Sequence, residues 1–217
     1  MRKWLTVYEA RKFLIIWYLA GIVGFMIQPV RTYFQVLTPL GMVIAAFLLM
    51  FFHEPKNLKS WLVFSSIVLG TFLAELIGVN TELIFGHYEY GPALGFLIWG
   101  TPWVIGLNWL ALIYCVSALA KPIRDHWYFP LLGAAVLVAF DWIIEPVAIA
   151  TGMWSWTGGS VPVKNYMDWF LISGFLFLLI RIFKIELNNR IAGVLLGMLF
   201  VFFLVLNILI HTPLWIS

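Results

Sequence analysis

Seven apolar runs divide this 217-residue chain, at roughly 13–30, 33–52, 60–79, 96–119, 127–150, 168–185 and 191–210. About 20 predominantly apolar residues are what an α-helix needs to cross the hydrocarbon core of a bilayer. The chain is 63% hydrophobic and 11% charged, where a soluble domain carries about a quarter charged residues. Almost nothing is left over for a separate soluble domain. The expectation is an all-α, polytopic membrane helix bundle of about seven transmembrane helices, read as one integral-membrane domain over 1–217. No internal repeat, low-complexity segment or linker is evident. Only Arg31-Thr32 separates the first two runs, which predicts a tight turn there.

Charge placement predicts the orientation. Arg2, Lys3, Arg11 and Lys12 precede the first run much as in a signal peptide. No small-residue cleavage site follows, and the segment is read as a retained first helix. With that end inside, every Lys and Arg except Arg31 and Lys164 falls on the inner side, at the N-terminus or near 53–59, 120–126 and 181–190. The asymmetry predicts an inside N-terminus and an outside C-terminus. The single Cys115 excludes an internal disulfide and a cysteine-clustered metal site.

The acids divide the other way. Glu9, Glu54, Asp125 and Glu186 lie among the inner basic residues, where solvated surface pairing accounts for them. Glu75, Glu82, Glu89, Asp141, Glu145 and Asp168 fall in the outer half or its loops, almost without basic partners. Asp141 and Glu145, in the stretch FDWIIEP, project from one helix face. Each ionised acid in lipid costs roughly 2.5–3.5 kcal/mol on insertion scales, so intramembrane acids point first to function. Carboxyls gathered without counter-charges tend to hold their protons. The plain alternative for Glu75, Asp141 and Glu145 is a hydrogen-bond network tying helices together. Pro146 leaves the Trp142 carbonyl without its helical donor, a local break beside both acids.

Three stretches converge in that half: 74–95 from Glu75 onward, 99–115 with Asn108 near mid-membrane, and 141–170 with its Gly- and Trp-rich loop. An interfacial aromatic belt accounts for Trp99, Trp154, Trp156, Trp169 and Trp215. It fits Trp109 and Trp142 less well, since both are expected deeper. His87 reads as a loop hydrogen-bonding residue.

Several chemistries are excluded. The chain has no phosphate-binding loop, no dinucleotide-binding glycine pattern and no Gly-x-Ser-x-Gly elbow. His53, His87, His126 and His211 are scattered over both faces, so no histidine-rich metal cluster and no metal site is expected. The seventh run lacks the lysine that a retinal Schiff base requires. The Asp-x-x-x-Glu spacing lacks the paired aspartates and basic neighbours of magnesium-diphosphate chemistry. Acid–base work by carboxyls against an aromatic wall remains. Protonation of an isolated alkene, its cation stabilised by aromatic faces, is one possibility among several.

Glu75, Gly78, Asn80-Thr81, Phe85-Gly86, Tyr88, Tyr90 and Leu94-Gly95, then Pro102, Asn108-Trp109 and Tyr114, resemble the signature of the CruF-type carotenoid hydratases. So do Asp141-Trp142, Glu145-Pro146, Trp154, Trp156, Pro162, Asn165-Tyr166 and Trp169. The resemblance covers about 70–170. Glu82 departs from it, standing where glycine is expected. The resemblance implies a membrane enzyme, without cofactor, that adds water to the terminal double bond of a carotenoid ψ-end and makes a tertiary alcohol. Asp141, Glu145 and Glu75 would be catalytic. Asn108, Trp109, Trp142, Tyr88, Tyr90, Trp103, Trp154, Trp156 and Asn165 would bind substrate. The carotenoid and membrane lipid are the implied partners, with room for association with other enzymes of the pathway and none for nucleic acid. A bacterial or archaeal cell membrane is the implied location. A carotenoid cyclase, a proton-coupled transporter and a carotenoid-binding scaffold are the competing readings. The transporter would be expected to have related halves and discontinuous helices.

Overall fold

A computed structural model describes residues 5–215. Seven α-helices are found among them: α1 (Val7–Met26), α2 (Gln28–Phe51), α3 (Leu58–Thr81), α4 (Ile105–Leu119), α5 (Phe129–Ala150), α6 (Val163–Ile182) and α7 (Ala192–Leu209). The protein is an all-α polytopic membrane bundle. α2, α3, α5, α6 and α7 are each long and apolar enough to cross a membrane. α1 has the length, but Glu9, Arg11 and Lys12 occupy its first turns. Thr6 and Glu9 form a reciprocal cap there, each side chain accepting the other's backbone N–H.

Four short strands, which hydropathy does not predict, decorate the bundle. β1 (Tyr88–Tyr90) pairs antiparallel with β4 (Trp154–Trp156), and β2 (Leu97–Ile98) with β3 (Thr101–Pro102). The β2–β3 hairpin corrects the expected start of the fourth span at 96. Trp99 and Gly100 both adopt positive φ, the backbone of a tight two-residue hairpin turn. Helix therefore begins only at Ile105.

α4 sits at the centre, touching α2, α3, α5, α6 and α7. Every residue from Trp109 to Ser117 is buried, as expected of a helix apolar on all sides. Its 15 residues rise about 22 Å, less than the ~30 Å hydrocarbon core. Gly106 permits a close crossing with α3, since a Cβ there would lie 2.3 Å from the Val68 carbonyl oxygen.

The predicted turn at Arg31-Thr32 is also corrected. The break falls at Ile27, with Pro29 in the opening turn of α2, where its missing N–H does no harm. Arg31 reaches back instead. Its guanidinium donates to the carbonyls of Phe25 and Trp215, both at 2.8 Å, and lies over the Trp215 ring.

The loops predicted to be inner do meet at one end of the bundle. Arg11 donates to the Arg190 carbonyl, Arg181 to that of Asp125, and Glu54 and Asn188 exchange backbone hydrogen bonds. Arg2 and Lys3 lie outside the described residues. The expected pairing of inner acids is not found: Glu9 caps α1, and among the described residues Glu54, Asp125 and Glu186 form no ion pair. Tyr114, part of the signature, also belongs to this end. Its hydroxyl meets buried His53 Nδ1 at 2.8 Å and accepts from Asn189.

Candidate active site

Glu75 on α3 and Asp141 and Glu145 on α5 reach one cavity at the other end of the bundle. All three are between 1% and 4% exposed. The two α5 acids lie one turn apart on the buried face, with Leu137 and Ala148 in the same stripe.

The β1–β4 ribbon closes the cavity. Its register sets Tyr88 opposite Trp156 and Tyr90 opposite Trp154. Alternation along a strand sends residues i and i+2 to the same side. One side therefore carries two phenols and two indoles, and they are the donors the acids need. Tyr88 and Tyr90 donate to Glu75 Oε2 at 2.6 and 2.8 Å. Trp154 and Trp156 donate to Glu145 Oε2, both at 2.9 Å. Burial first, and the Glu75 carboxylate second, push both tyrosine hydroxyls well above their ordinary range, so they remain donors.

The helices complete the set. Trp109 Nε1 donates to Glu75 Oε1 at 2.8 Å, and its ring stacks on Trp169 with centroids 3.9 Å apart. Asn165 Nδ2, in the first turn of α6, donates to Asp141 Oδ2 at 2.8 Å and reaches Glu145 Oε1 at 3.4 Å. Three donors thus hold Glu75, two indoles and a longer amide contact hold Glu145, and one amide holds Asp141. Indole N–H groups only donate, so they suit carboxyl oxygens that accept.

The cavity measures about 30 Å³, on the scale of one or two water molecules. Tyr88, Tyr90, Asn108, Trp154, Trp156 and Asn165 line it, as do Phe85, Ile105, Ile144 and Trp169. Trp109 stands one layer behind, in contact with Glu75. Two expected members are elsewhere. Trp142 is 67% exposed on the outside of the bundle, because its neighbour Asp141 points inward and successive helical residues diverge by about 100°. Trp103 follows β3, is 44% exposed, and does not line the cavity.

The belt reading of Trp154, Trp156 and Trp169 is corrected by these contacts, whereas Trp99 remains exposed. Asp168 is not an unpartnered acid. It pairs with Lys164 at 2.6 Å and accepts the Phe85 N–H at 2.6 Å. That grip holds Phe85 at φ 66° with its ring against the cavity, a conformation that surrounding structure must enforce. Glu82 occupies a left-handed position, φ 61°, at the end of α3. This is the geometry for which glycine is favoured. His87 approaches Glu82 at 3.4 Å on the surface. A residue not foreseen stands beside the proline break in α5: Asn207 of α7 donates at 2.8 Å to the Ile143 carbonyl, the neighbour of the Trp142 carbonyl that Pro146 frees. Among the described residues no group of three or more His, Cys, Asp or Glu side chains is arranged to hold a metal ion.

No curated protein and no solved structure matches the chain. The sequence profile of one family, described as carotenoid biosynthesis protein, matches residues 33–217, a span that contains all the acids and donors of the cavity. The chain belongs to the carotenoid biosynthesis protein family.

Proposed function

We propose that this protein hydrates the terminal double bond of an acyclic carotenoid end group, with Asp141 as proton donor. The observation that carries the reading is the unequal grip on the three carboxyls. Glu75 and Glu145 are tied to phenol and indole donors, whereas Asp141 accepts a single amide hydrogen bond. An acid with few donors to its carboxylate form is the one suited to carry a proton in an apolar setting.

The steps then follow from the lining. The Asp141 carboxyl protonates C2′ of the end group, and the π electrons leave a tertiary cation at C1′. Tyr88, Trp156 and Trp169 line the chamber, and aromatic rings favour a nearby positive charge. A water oxygen attacks C1′, and Glu145 takes the proton the water releases. The two acids, both in reach of the Asn165 amide, return that proton to Asp141 before the next turnover. Alkene and water are consumed, and a tertiary alcohol is formed. A chamber of water-molecule scale into which three carboxyls project favours quenching by water over quenching by an internal double bond. The family membership supports a carotenoid as the substrate.

The test is expression in a bacterium that accumulates lycopene, with pigments analysed by chromatography and mass spectrometry. A product heavier by one water with its chromophore unshifted is expected. A product of unchanged mass with a shifted spectrum would instead make the protein a cyclase. Asp141→Asn and Glu145→Gln should each reduce conversion by about 10²-fold or more, the scale of lost general acid–base catalysis, in protein that still inserts and folds. Conversion at the wild-type rate in both variants would overturn the mechanism.

A further inference from the structure

We propose that the apolar cleft between α1, α2, α4 and α7 holds the polyene of the substrate, threading its end group past Asn108 into the acid chamber. The inference rests on the carotenoid reading above and adds a binding site for a long, rigid, conjugated hydrocarbon. A chamber of about 30 Å³ admits little more than the tip of such a chain, so the remainder must lie elsewhere.

The cleft, about 190 Å³, is the space that meets this need. Asn108 is the one described residue that lines both it and the acid chamber. Aromatic rings of Trp17, Phe25, Phe34 and Phe202 form its walls. Its width depends on glycine. A Cβ on Gly41 would lie 3.2 Å from Trp17 Nε1, and one on Gly21 would lie 3.0 Å from the Phe202 ring. Leu37, 40% exposed, forms part of the margin within the span of α2, so the cleft opens sideways toward lipid. That is the direction from which a bilayer-dissolved substrate must arrive.

Three other cavities among the described residues do not meet these conditions. Two at the opposite end are lined by charged residues, among them Lys121 and Arg190, and Arg124 and Arg181. The apolar groove between α4, α5 and α7 shares no residue with the acid chamber.

The experiment uses purified full-length protein in lipid nanodiscs with lycopene as the probe, reading both retained pigment and hydrated product. Ala45→Phe fills the cleft from within, and Leu37→Trp narrows its lipid-facing margin, where a larger ring endangers folding least. Val36→Trp, on the exposed side of the same helix, is the control. Both cleft variants should lose retained pigment and conversion by about ten-fold or more, the scale of overpacking a filled site, while the control matches wild type. Folded cleft variants that retain and convert lycopene like wild type would overturn the cleft proposal and leave the hydratase reading intact. Pigment retained by wild type and lost in the cleft variants, without any hydration, would support the cleft and sink the hydratase reading. Wild-type protein that neither retains nor converts lycopene would overturn both.

Discussion

Replacing Glu75 tests whether the ribbon is locked to the bundle by hydrogen bonds to one carboxyl. Three buried or half-buried donors converge on it: the Tyr88 and Tyr90 hydroxyls and the Trp109 indole. Glu75→Gln keeps partners for all three sites. Its oxygen can face Trp109, which cannot accept, and its amide can face the tyrosine oxygens, which can. The indole bond passes to an amide oxygen and the tyrosine bonds reverse, so a destabilisation of about 1–3 kcal/mol is expected. Glu75→Leu leaves three donors without an acceptor, at about 1–3 kcal/mol each, or about 3–9 kcal/mol in all. Adding Tyr88→Phe and Tyr90→Phe to Glu75→Leu removes two of those orphans and should recover about 2–6 kcal/mol, whereas the same changes in wild type are destabilising. Reversible unfolding in mixed micelles with rising SDS compares the four variants with wild type. Equal stability of the Gln and Leu variants, or phenylalanine substitutions that cost the same in both backgrounds, would refute the reasoning.

Glu82→Gly relieves a left-handed residue at the end of α3. That strain is about 1–2 kcal/mol, partly offset by the freedom glycine adds to the unfolded chain, so a gain of about 1 kcal/mol is expected in the same unfolding measurement. Trp142→Ala should leave pigment conversion unchanged, because the side chain faces away from the cavity; a large loss would return Trp142 to the site. Tyr88 and Tyr90 predict an alkaline limit. Up to about pH 10 the tyrosines are protonated in both folded and unfolded chains. Above it the unfolded chain releases protons that the folded one keeps, so stability falls as pH rises. Unfolding measured from pH 8 upward should have this slope in wild type and a shallower one in the double phenylalanine variant.

Hydropathy made the helices legible, because in lipid the hydrophobic requirement is nearly continuous along a span. The acids were legible for the converse reason: a carboxyl in such a run is costly enough to need explanation. The ribbon was not legible. Tyr-x-Tyr and Trp-x-Trp each occupy only three residues, and nothing local announces that two such segments so far apart in the chain will pair. The run from 96 hid a hairpin among apolar residues, although Gly95, Gly100 and Pro102 are breakers that could have marked it. Pro29 was a better marker of the α1–α2 break than the polar pair two residues later. The position of Trp142 could have been read from helical geometry alone once Asp141 was taken as inward-facing.

The order of acids and donors along the chain bears on how the protein is made. Each carboxyl precedes its partners: Glu75 comes before Tyr88, Tyr90 and Trp109, Asp141 before Asn165, and Glu145 before Trp154 and Trp156. Synthesis proceeds from the N-terminus, so α3 and α5 emerge before the residues that satisfy their acids do. Glu145 waits for the loop that follows its own helix and, for its longer amide contact, for α6. Asp141 waits for α6, and Glu75 for both β1 and α4. The β1–β4 ladder cannot close until residue 156 has emerged. Maturation of the site is therefore a late event, completed when α5 is already in place, and nascent chains truncated before 154 should carry inserted helices around an open, unsatisfied cluster of acids.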